Sequence, residues 1–408
     1  MNEVNNIPEG WVETNIGEVV DLAQGVAINA KTKSVLSDEK NGIPLLKINN
    51  LLNNTIDQYA NPKLVPKQSI INKNDVIFTR TGQVGAVLFN KYGILHNNSF
   101  KVIPKDEIYW KYLYWYLKSE KVYNYVQKVA AGSVQKDLNH SAFKTIEFKY
   151  PKDINEQKSI AAILTSFDDK IELLQAQNKT LEELAQTLFK EWFGKYQIGD
   201  ELPDGWGVGK LSEFGKIICG KTPSKSNEDY FGNDIPFIKI PDMHNKVFIL
   251  ETTDNLSIEG AKSQNNKMLP KNSICISCIA TVGLVSITTK KSQTNQQINS
   301  IIPNENYFRE FLYFTLTKMK NYLNDLGSGG TATLNVNTST FSNIELVKPK
   351  EDIIKDFHKL SNPIFEKVLQ NNTQIQTLTK TRDELLPKLM SGEIRVKKQF
   401  FENFEYLK

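Results

Sequence analysis

Only three cysteines, Cys219, Cys275 and Cys278, occur in 408 residues. They cannot build a disulfide framework, and such scarcity suits a reducing compartment. No run of about 18 apolar residues is present, which excludes an apolar membrane-spanning helix. The opening Met1-Asn2-Glu3-Val4-Asn5-Asn6 has no basic stretch followed by an apolar one, so no secretory signal is expected. The expectation is a cytoplasmic protein with no membrane partner. A large excess of one charge is missing too, since 50 basic and 46 acidic residues leave +4. A protein that holds duplex DNA unaided often carries more, because neutralising phosphates supplies much of its affinity. The balance permits nucleic acid without demanding it.

Catalytic constellations are equally scarce. The four histidines (His96, His140, His244, His358) are scattered, and no Ser-His-Asp or Cys-His arrangement can be argued from them. Cys275-Ile276-Ser277-Cys278 has CxxC spacing, but a zinc site needs two more ligands. Its setting, Ile-Cys-Ile-Ser-Cys-Ile, reads as a strand. Asp153, Glu156 and Lys158 caricature a nuclease triad, yet they crowd into what reads as the first turn of a helix, where acidic residues are ordinary. Asn362-Pro363-Ile364-Phe365 resembles the Asn-Pro-Pro-aromatic loop of amino-methyltransferases, but lacks the second proline and any glycine-rich cofactor loop. No GxxxxGK[ST] phosphate loop occurs, and Gly327-Ser328-Gly329-Gly330-Thr331 reads as a surface loop. No catalytic residue, metal site or bound cofactor is expected.

What is there is a chain written twice. Forty per cent apolar residues, ten per cent of the chain being aromatic, can fill ordinary cores, and the length suggests two or three domains. Ile7-Pro8-Glu9-Gly10-Trp11 returns as Leu202-Pro203-Asp204-Gly205-Trp206. Ile43-Pro44-Leu45-Leu46-Lys47-Ile48 returns as Ile235-Pro236-Phe237-Ile238-Lys239-Ile240, and Val65-Pro66-Lys67 as Leu269-Pro270-Lys271. Gly25 answers to Gly220, Val84-Gly85 to Val282-Gly283, and Asn97-Asn98 stands near the place of Asn295-Gln296-Gln297. Phe143, Ile146 and Pro151 return as Phe341, Ile344 and Pro349. Ordered matches across both halves make a tandem duplication. Each copy is rich in short strand-like runs, then carries an aromatic helical segment (110–121 and 308–322), then switches to helix after its proline.

Those final helices step by alternating fours and threes. The first seam holds Ile160, Leu164, Phe167, Ile171, Leu174, Asn178, Leu181, Ala185, Leu188 and Trp192. The second holds Phe357, Ser361, Ile364, Val368, Asn371, Ile375, Leu378, Arg382, Leu385 and Leu389. Sustained heptads of this kind signal a coiled coil. Pairing the two antiparallel makes Asn178 and Asn371 register-setting residues; the alternative is that each helix packs only on its own domain. Pro363 predicts a break or kink, and Gly194 and Gly392 are expected as left-handed caps. The first helix, taken over 158–193, would be roughly 50 Å long at 1.5 Å per residue. The fold class is α+β: two mixed, β-rich domains joined by two long helices that form an antiparallel coiled coil, with a pseudo-twofold repeat. Boundaries fall at 1–151, 152–197, 198–349 and 350–408.

The remaining candidates are polar patches. In the first copy these hold Lys47, Arg80, Gln83, Asn97, Asn98, Lys101, Gln135 and Lys136. In the second they hold Lys239, Thr281, Asn295, Gln296, Gln297, Thr331 and Thr333. Arg, Lys, Asn, Gln and Thr are the side chains that read base edges in a major groove. Arg80 is the only arginine of the first domain, and its other reading is an ion pair. Asn and Gln are also plain turn residues.

The chain resembles the specificity subunits of type I restriction-modification systems over essentially its whole length. Pro8-Glu9-Gly10-Trp11 and Pro203-Asp204-Gly205-Trp206 carry the resemblance at the start of each half. Gln157-Lys158-Ser159-Ile160-Ala161 with Phe167-Asp168 and Leu188-Phe189-Lys190-Glu191-Trp192-Phe193 carry it in the first helix. The run from Arg382-Asp383-Glu384-Leu385 to Ser391-Gly392-Glu393-Ile394 closes the second. The resemblance implies a non-catalytic subunit with two target recognition domains, each reading half of a bipartite site in double-stranded DNA. It also implies that the helices serve as ruler and dock for two modification (methyltransferase) subunits, with restriction subunits completing the complex. S-adenosylmethionine and ATP would belong to those partners. Because the halves differ at most loop positions, the target is expected to be asymmetric. A competing reading is a coiled-coil scaffold or adaptor without DNA readout.

Overall fold

The computed structural model describes residues 7–132, 136–327 and 336–396. Its contacts divide the chain into two compact units, residues 1–172 with 376–408, and residues 173–375. The motif that opens each half is a tight turn. Trp11 N–H donates to the Pro8 carbonyl at 3.0 Å and Trp206 N–H to that of Pro203 at 2.9 Å, with Gly10 at φ 79° and Gly205 at φ 75°. That left-handed conformation is disfavoured for a residue with a Cβ. From these turns run Trp11–Asn15 and Gly207–Lys210, which pair antiparallel with Glu147–Pro151 and Glu345–Lys348. The start of each domain is thus tied to the strand that leads into its long helix.

Inside each unit the main sheet is built around a six-residue strand with an antiparallel neighbour on either side. In the first, Ser99–Pro104 lies between Val20–Gln24 and Val76–Thr79, with Val87–Leu88 beyond. In the second, Ile298–Pro303 lies between Gly215–Cys219 and Ile274–Ser277. A second, mixed sheet stands beside each. There Ile43–Leu46 runs parallel to Gly93–Leu95, and Ile235–Ile238 parallel to Gln293–Thr294. Aromatic rings fill the cores. Phe78, Phe100 and Phe143 meet with centroids 4.9–5.6 Å apart in the first unit. In the second, Phe193 lies 5.1 Å from both Phe311 and Phe357.

The long helices span Ile154–Phe193 and Glu351–Ser391. All twenty heptad positions are buried or half-buried. In the first unit Asp168 accepts from Arg382, and Glu156 holds Arg395 through two bonds of 2.7 and 2.9 Å. In the second unit Phe189 packs on Phe357, and Asn371 Nδ2 donates to Asn178 Oδ1 at 2.9 Å. In both, residues advancing along one helix meet residues receding along the other, so the pairing is antiparallel. The first helix also grips its own domain. Buried Gln157 accepts from Tyr109 N–H (2.7 Å) and donates to the carbonyls of Glu107 and Pro151 (both 2.9 Å).

Two helix expectations need correction. The second helix does not break at Pro363, nor at Pro387. Proline cannot donate to the carbonyl four residues back, but Pro363 and Lys359 are both exposed, as are Pro387 and Asp383, so water can take the freed carbonyls. Gly392 is a left-handed cap at φ 76°, whereas Gly194 is not among the positive-φ residues. Its N–H still donates to the Lys190 carbonyl at 2.9 Å, so the chain keeps its helical bonding there.

The buried Asn178–Asn371 contact fixes register at a cost in stability. Replacing both by leucine is therefore expected to raise the melting temperature, whereas Asn371→Ala alone should cost about 1–3 kcal/mol by stranding a buried amide. Thermal and denaturant melts would check this, and a less stable double variant would contradict it. Gly25 and Gly220 end equivalent strands where a Cβ would lie 2.3 Å from the His96 carbonyl oxygen and 2.1 Å from that of Asn295. Alanine at either position is expected to destabilise its own domain by about 1–3 kcal/mol, measurable by urea titration; unchanged midpoints would show that the turns yield freely.

Candidate nucleic-acid interface

Three segments converge at one end of the first domain. They are the end of Val20–Gln24, the loop from Arg80 to Gly85, and the turn His96-Asn97-Asn98 between Gly93–Leu95 and Ser99–Pro104. Backbone bonds lock them together. His96 N–H donates to Leu46 O (3.0 Å), Asn97 N–H to Val26 O (3.0 Å), and Arg80 N–H to Asn98 O (2.9 Å). Gln24 Nε2 reaches Asn97 O at 2.6 Å. Ala131 and Asp137 exchange both backbone bonds (3.0 and 2.8 Å), and Gly82 N–H donates to Lys136 O at 3.0 Å. Ala131, Lys136 and Asp137 therefore lie beside the Arg80 loop.

Side chains complete the junction. Asp137 receives Arg80 Nη2 at 2.6 Å and Nε at 3.2 Å, and Thr81 Oγ1 at 2.7 Å. The hydrogen bonds from Arg80 hold the Asp137 carboxyl below its usual range, with burial opposing. Burial holds both the His96 and His140 imidazoles below the usual histidine range. The Lys47 ammonium adds to this at His96, where Asn98 opposes it, and Arg80 and Lys144 add to it at His140. His96 lies against the Asn98 amide, and His96 Nδ1 and Asn98 Oδ1 are buried with no bond to any other group.

The second domain builds the same junction from other residues. Asn295 N–H donates to Ile238 O (3.2 Å), Cys278 N–H to Gln297 O (2.8 Å), and Val336 N–H to Cys278 O (2.9 Å). Cys278 thus occupies the place of Arg80, and Cys219 that of Gln24. Asn295 Nδ2 donates to Gln297 Oε1 at 2.9 Å, and Asn299 Nδ2 reaches Val336 O at 3.1 Å. Gln296 Oε1 accepts from Thr222 at 2.7 Å. Ala280 holds the left-handed conformation (φ 62°) that Gly82 adopts in the first domain (φ 77°), a strained choice for a residue with a side chain.

The sequence-derived candidates divide by this geometry. Gln83, Asn97, Asn98 and Lys136 stand at the first junction, and Thr281, Asn295, Gln296 and Gln297 at the second. Gln83, Lys136, Thr281 and Gln296 are exposed, while Asn295 is buried. Lys47 and Lys239 directly follow the residues whose carbonyls hold the two turns. The Lys239 ammonium pairs with Asp254 and lies 5.8 Å from the Phe237 ring centre. Lys101 lies mid-strand, its Nζ near Ile70 O (3.3 Å) and Asp75 (3.4 Å). Gln135, Thr331 and Thr333 lie outside the described residues, as does most of the glycine-rich 327–331 run. Gln24, Asp137, His96 and Asn299 belong to the junctions but were not singled out as site residues from the sequence. The one signal for Gln24 and Asp137 was adjacency, to the repeated Gly25 and to the 132–136 patch.

The motifs that suggested chemistry have structural uses. Cys275 lies in Ile274–Ser277 and Cys278 just after it, and burial pushes their thiols up to about 12 and about 11, far from a reactive thiolate. Asp153 accepts from Asn155 N–H at 2.9 Å, a helix-start contact, and Glu156 is taken by Arg395. Asn362 Oδ1 accepts from buried Arg309 at 2.8 Å. Among the described residues no three His, Cys, Asp or Glu side chains are grouped to hold a metal ion, and no helix is long and apolar enough to cross a membrane. A cleft of about 600 Å³ beside Phe193, Phe311, Tyr322 and Leu346 includes no residue of the second junction.

Comparison with known proteins fits this doubled plan. The family model for the type I restriction modification DNA specificity domain matches twice, over residues 8–183 and 203–381. The type I restriction enzyme HindI specificity subunit of Haemophilus influenzae is 37% identical, over 94% of this chain and 99% of its own. The MjaIX specificity subunit of Methanocaldococcus jannaschii is 29% identical, over 97% and 96%. In fold, the S subunit of the type I system from M. genitalium superposes with a TM-score of 0.65 at 18% identity, over 96% of this chain and 98% of that one. Two copies of one domain, each closed by its own strand pair and followed by a heptad helix, thus match along nearly full length, and the chain belongs to the type I restriction-modification DNA specificity subunits.

Proposed function

We propose that this chain is the non-catalytic reader of a type I restriction-modification complex, recognising a bipartite, asymmetric site in double-stranded DNA. Residues 1–151 and 198–349 act as the two target recognition domains. Residues 152–197 and 350–408 supply the spacer helices and the dock for two modification subunits, with restriction subunits joining the assembly. Adenine methylation and ATP-driven cleavage are the partners' chemistry, and the complex works in the cytoplasm. The observation that carries the asymmetric reading is the contrast between the junctions. The same backbone lattice presents Gln24, Arg80, His96, Asn97 and Asn98 in one domain, and Cys219, Cys278, Asn295, Gln296 and Gln297 in the other. Junctions built so differently hold their exposed loop side chains in different arrangements, which favours different bases. The exposed side chains Gln83 and Lys136, and Thr281 and Gln296, are those we assign to the DNA.

Mapping methylated bases in cells that express this chain with its modification subunit, against the modification subunit alone, tests the reading. A new two-part motif with unlike halves, present only with this chain, is expected. A stable complex that leaves no motif would favour the scaffold alternative, and identical halves would refute the asymmetry. In salt titrations of duplex binding, Lys136→Ala should weaken all sequences alike and lower the salt slope by about 1 if Lys136 meets a phosphate. Gln296→Ala should instead relax the second half-site by about 1–3 kcal/mol and leave the slope alone; a loss at the first half-site would refute its assignment.

A further inference from the structure

We infer that Arg80 is a positioning residue of the first domain: its guanidinium ties the roots of the recognition loops together and leaves base reading to the loops. This rests on the DNA-reading assignment above. An arginine that reads guanine must offer two N–H groups of its fork to O6 and N7. Arg80 has committed Nε and Nη2 to the two oxygens of Asp137, and Nη1 lies 3.4 Å from Gln24 Oε1. Each partner anchors another segment. Gln24 donates to Asn97 O, Thr81 donates to Asp137, and the backbone of Asp137 exchanges bonds with that of Ala131. Arg80 itself donates its N–H to Asn98 O and accepts from Leu138 N–H at 2.9 Å. One planar group therefore helps to set the relative position of residues 24, 80–81, 97–98, 131 and 136–138.

The second domain needs the same tie and makes it without charge. At the place of Arg80, Cys278 keeps the equivalent backbone bonds to Gln297 and Val336. Asn299, buried, donates to Val336 O at 3.1 Å and lies 3.3 Å from Cys278 Sγ. A clamp that recurs with different chemistry is serving geometry. A bidentate arginine–carboxylate pair is directional enough for that task, and lysine, which lacks the planar fork, cannot replace it.

The test uses the chain in complex with its modification subunit and reads both the methylated motif and salt-dependent duplex binding. Arg80→Ala and Asp137→Ala are expected to lose discrimination at the first half-site to the same extent, about tenfold or more. The double variant should lose no more than either single one. The second half-site and the salt slope should stay as in wild type, and Arg80→Lys should not rescue. The neutral pair Arg80→Gln with Asp137→Asn should recover part of the discrimination, which guards against a variant that merely misfolds. The inference is overturned if Asp137→Ala keeps or sharpens specificity while Arg80→Ala loses one base pair, because Arg80 would then be reading that base. It is equally overturned if Arg80→Ala alone lowers the salt slope by about 0.9, the mark of a phosphate contact. A wild-type complex that yields no motif would overturn the DNA-reading assignment itself, and this inference with it.

Discussion

Five residue pairs, from Trp11↔Pro151 to Asn15↔Glu147, tie the opening of the first domain to the strand that runs into its long helix. Four pairs, from Gly207↔Lys348 to Lys210↔Glu345, do the same in the second. This closure is the constraint on which the rest depends. A loop can present side chains at a defined angle only if its domain is rigid and the helix leaves that domain in a fixed direction. Strand pairing supplies the first condition. In the first domain Gln157 helps with the second by donating to carbonyls on both sides of the exit. At the equivalent exit of the second domain, Lys355 pairs with Glu351, which also accepts from Tyr307.

Within this shared frame the two domains spend polar groups differently. The second junction is nearly self-satisfied through Asn295, Gln297 and Asn299. The first keeps an ion pair and leaves His96 Nδ1 and Asn98 Oδ1 buried without other partners. Buried polar atoms without hydrogen bonds are costly. Their presence beside exposed loops is the kind of local cost that functional surfaces tolerate and packed cores do not.

The duplication and the heptads were legible because both are periodic. A hydrophobic step of three and four survives any loop insertion elsewhere, and all twenty seam positions are at least half-buried. The polar interruptions were legible as well, and Asn178 does meet Asn371. The helix ends were less so: Pro363 was tolerated because its neighbours face water, and Gly194 kept its helical bond. The junction was the least legible part. Lys101 and Arg80 were alike in sequence as basic members of polar patches, but one points to Asp75 and the other to Asp137, 57 positions along the chain. Nothing local distinguishes a lysine that pairs at a strand from one, such as Lys136, that stands exposed. Strand order is similarly non-local, since the parallel pairs Ile43–Leu46 with Gly93–Leu95 and Ile235–Ile238 with Gln293–Thr294 join segments far apart in sequence.

The two units are unequal in how they are drawn from the chain. The second is a continuous stretch, residues 173–375, while the first borrows residues after 375. Leu386, Leu389 and Met390 are buried in the first core beside Ile160 and Leu164. Fully buried side chains of this kind contribute about 1.5–3 kcal/mol each, so together they are comparable to the margin by which a domain stays folded. On the ribosome, the unit that begins first must therefore wait to be finished. Its sheets emerge early, the whole of the other unit is then synthesised, and only the final helix brings the missing apolar face. The first-made domain is the last completed, and its nascent form must keep the exposed seam of the first helix soluble until that helix arrives.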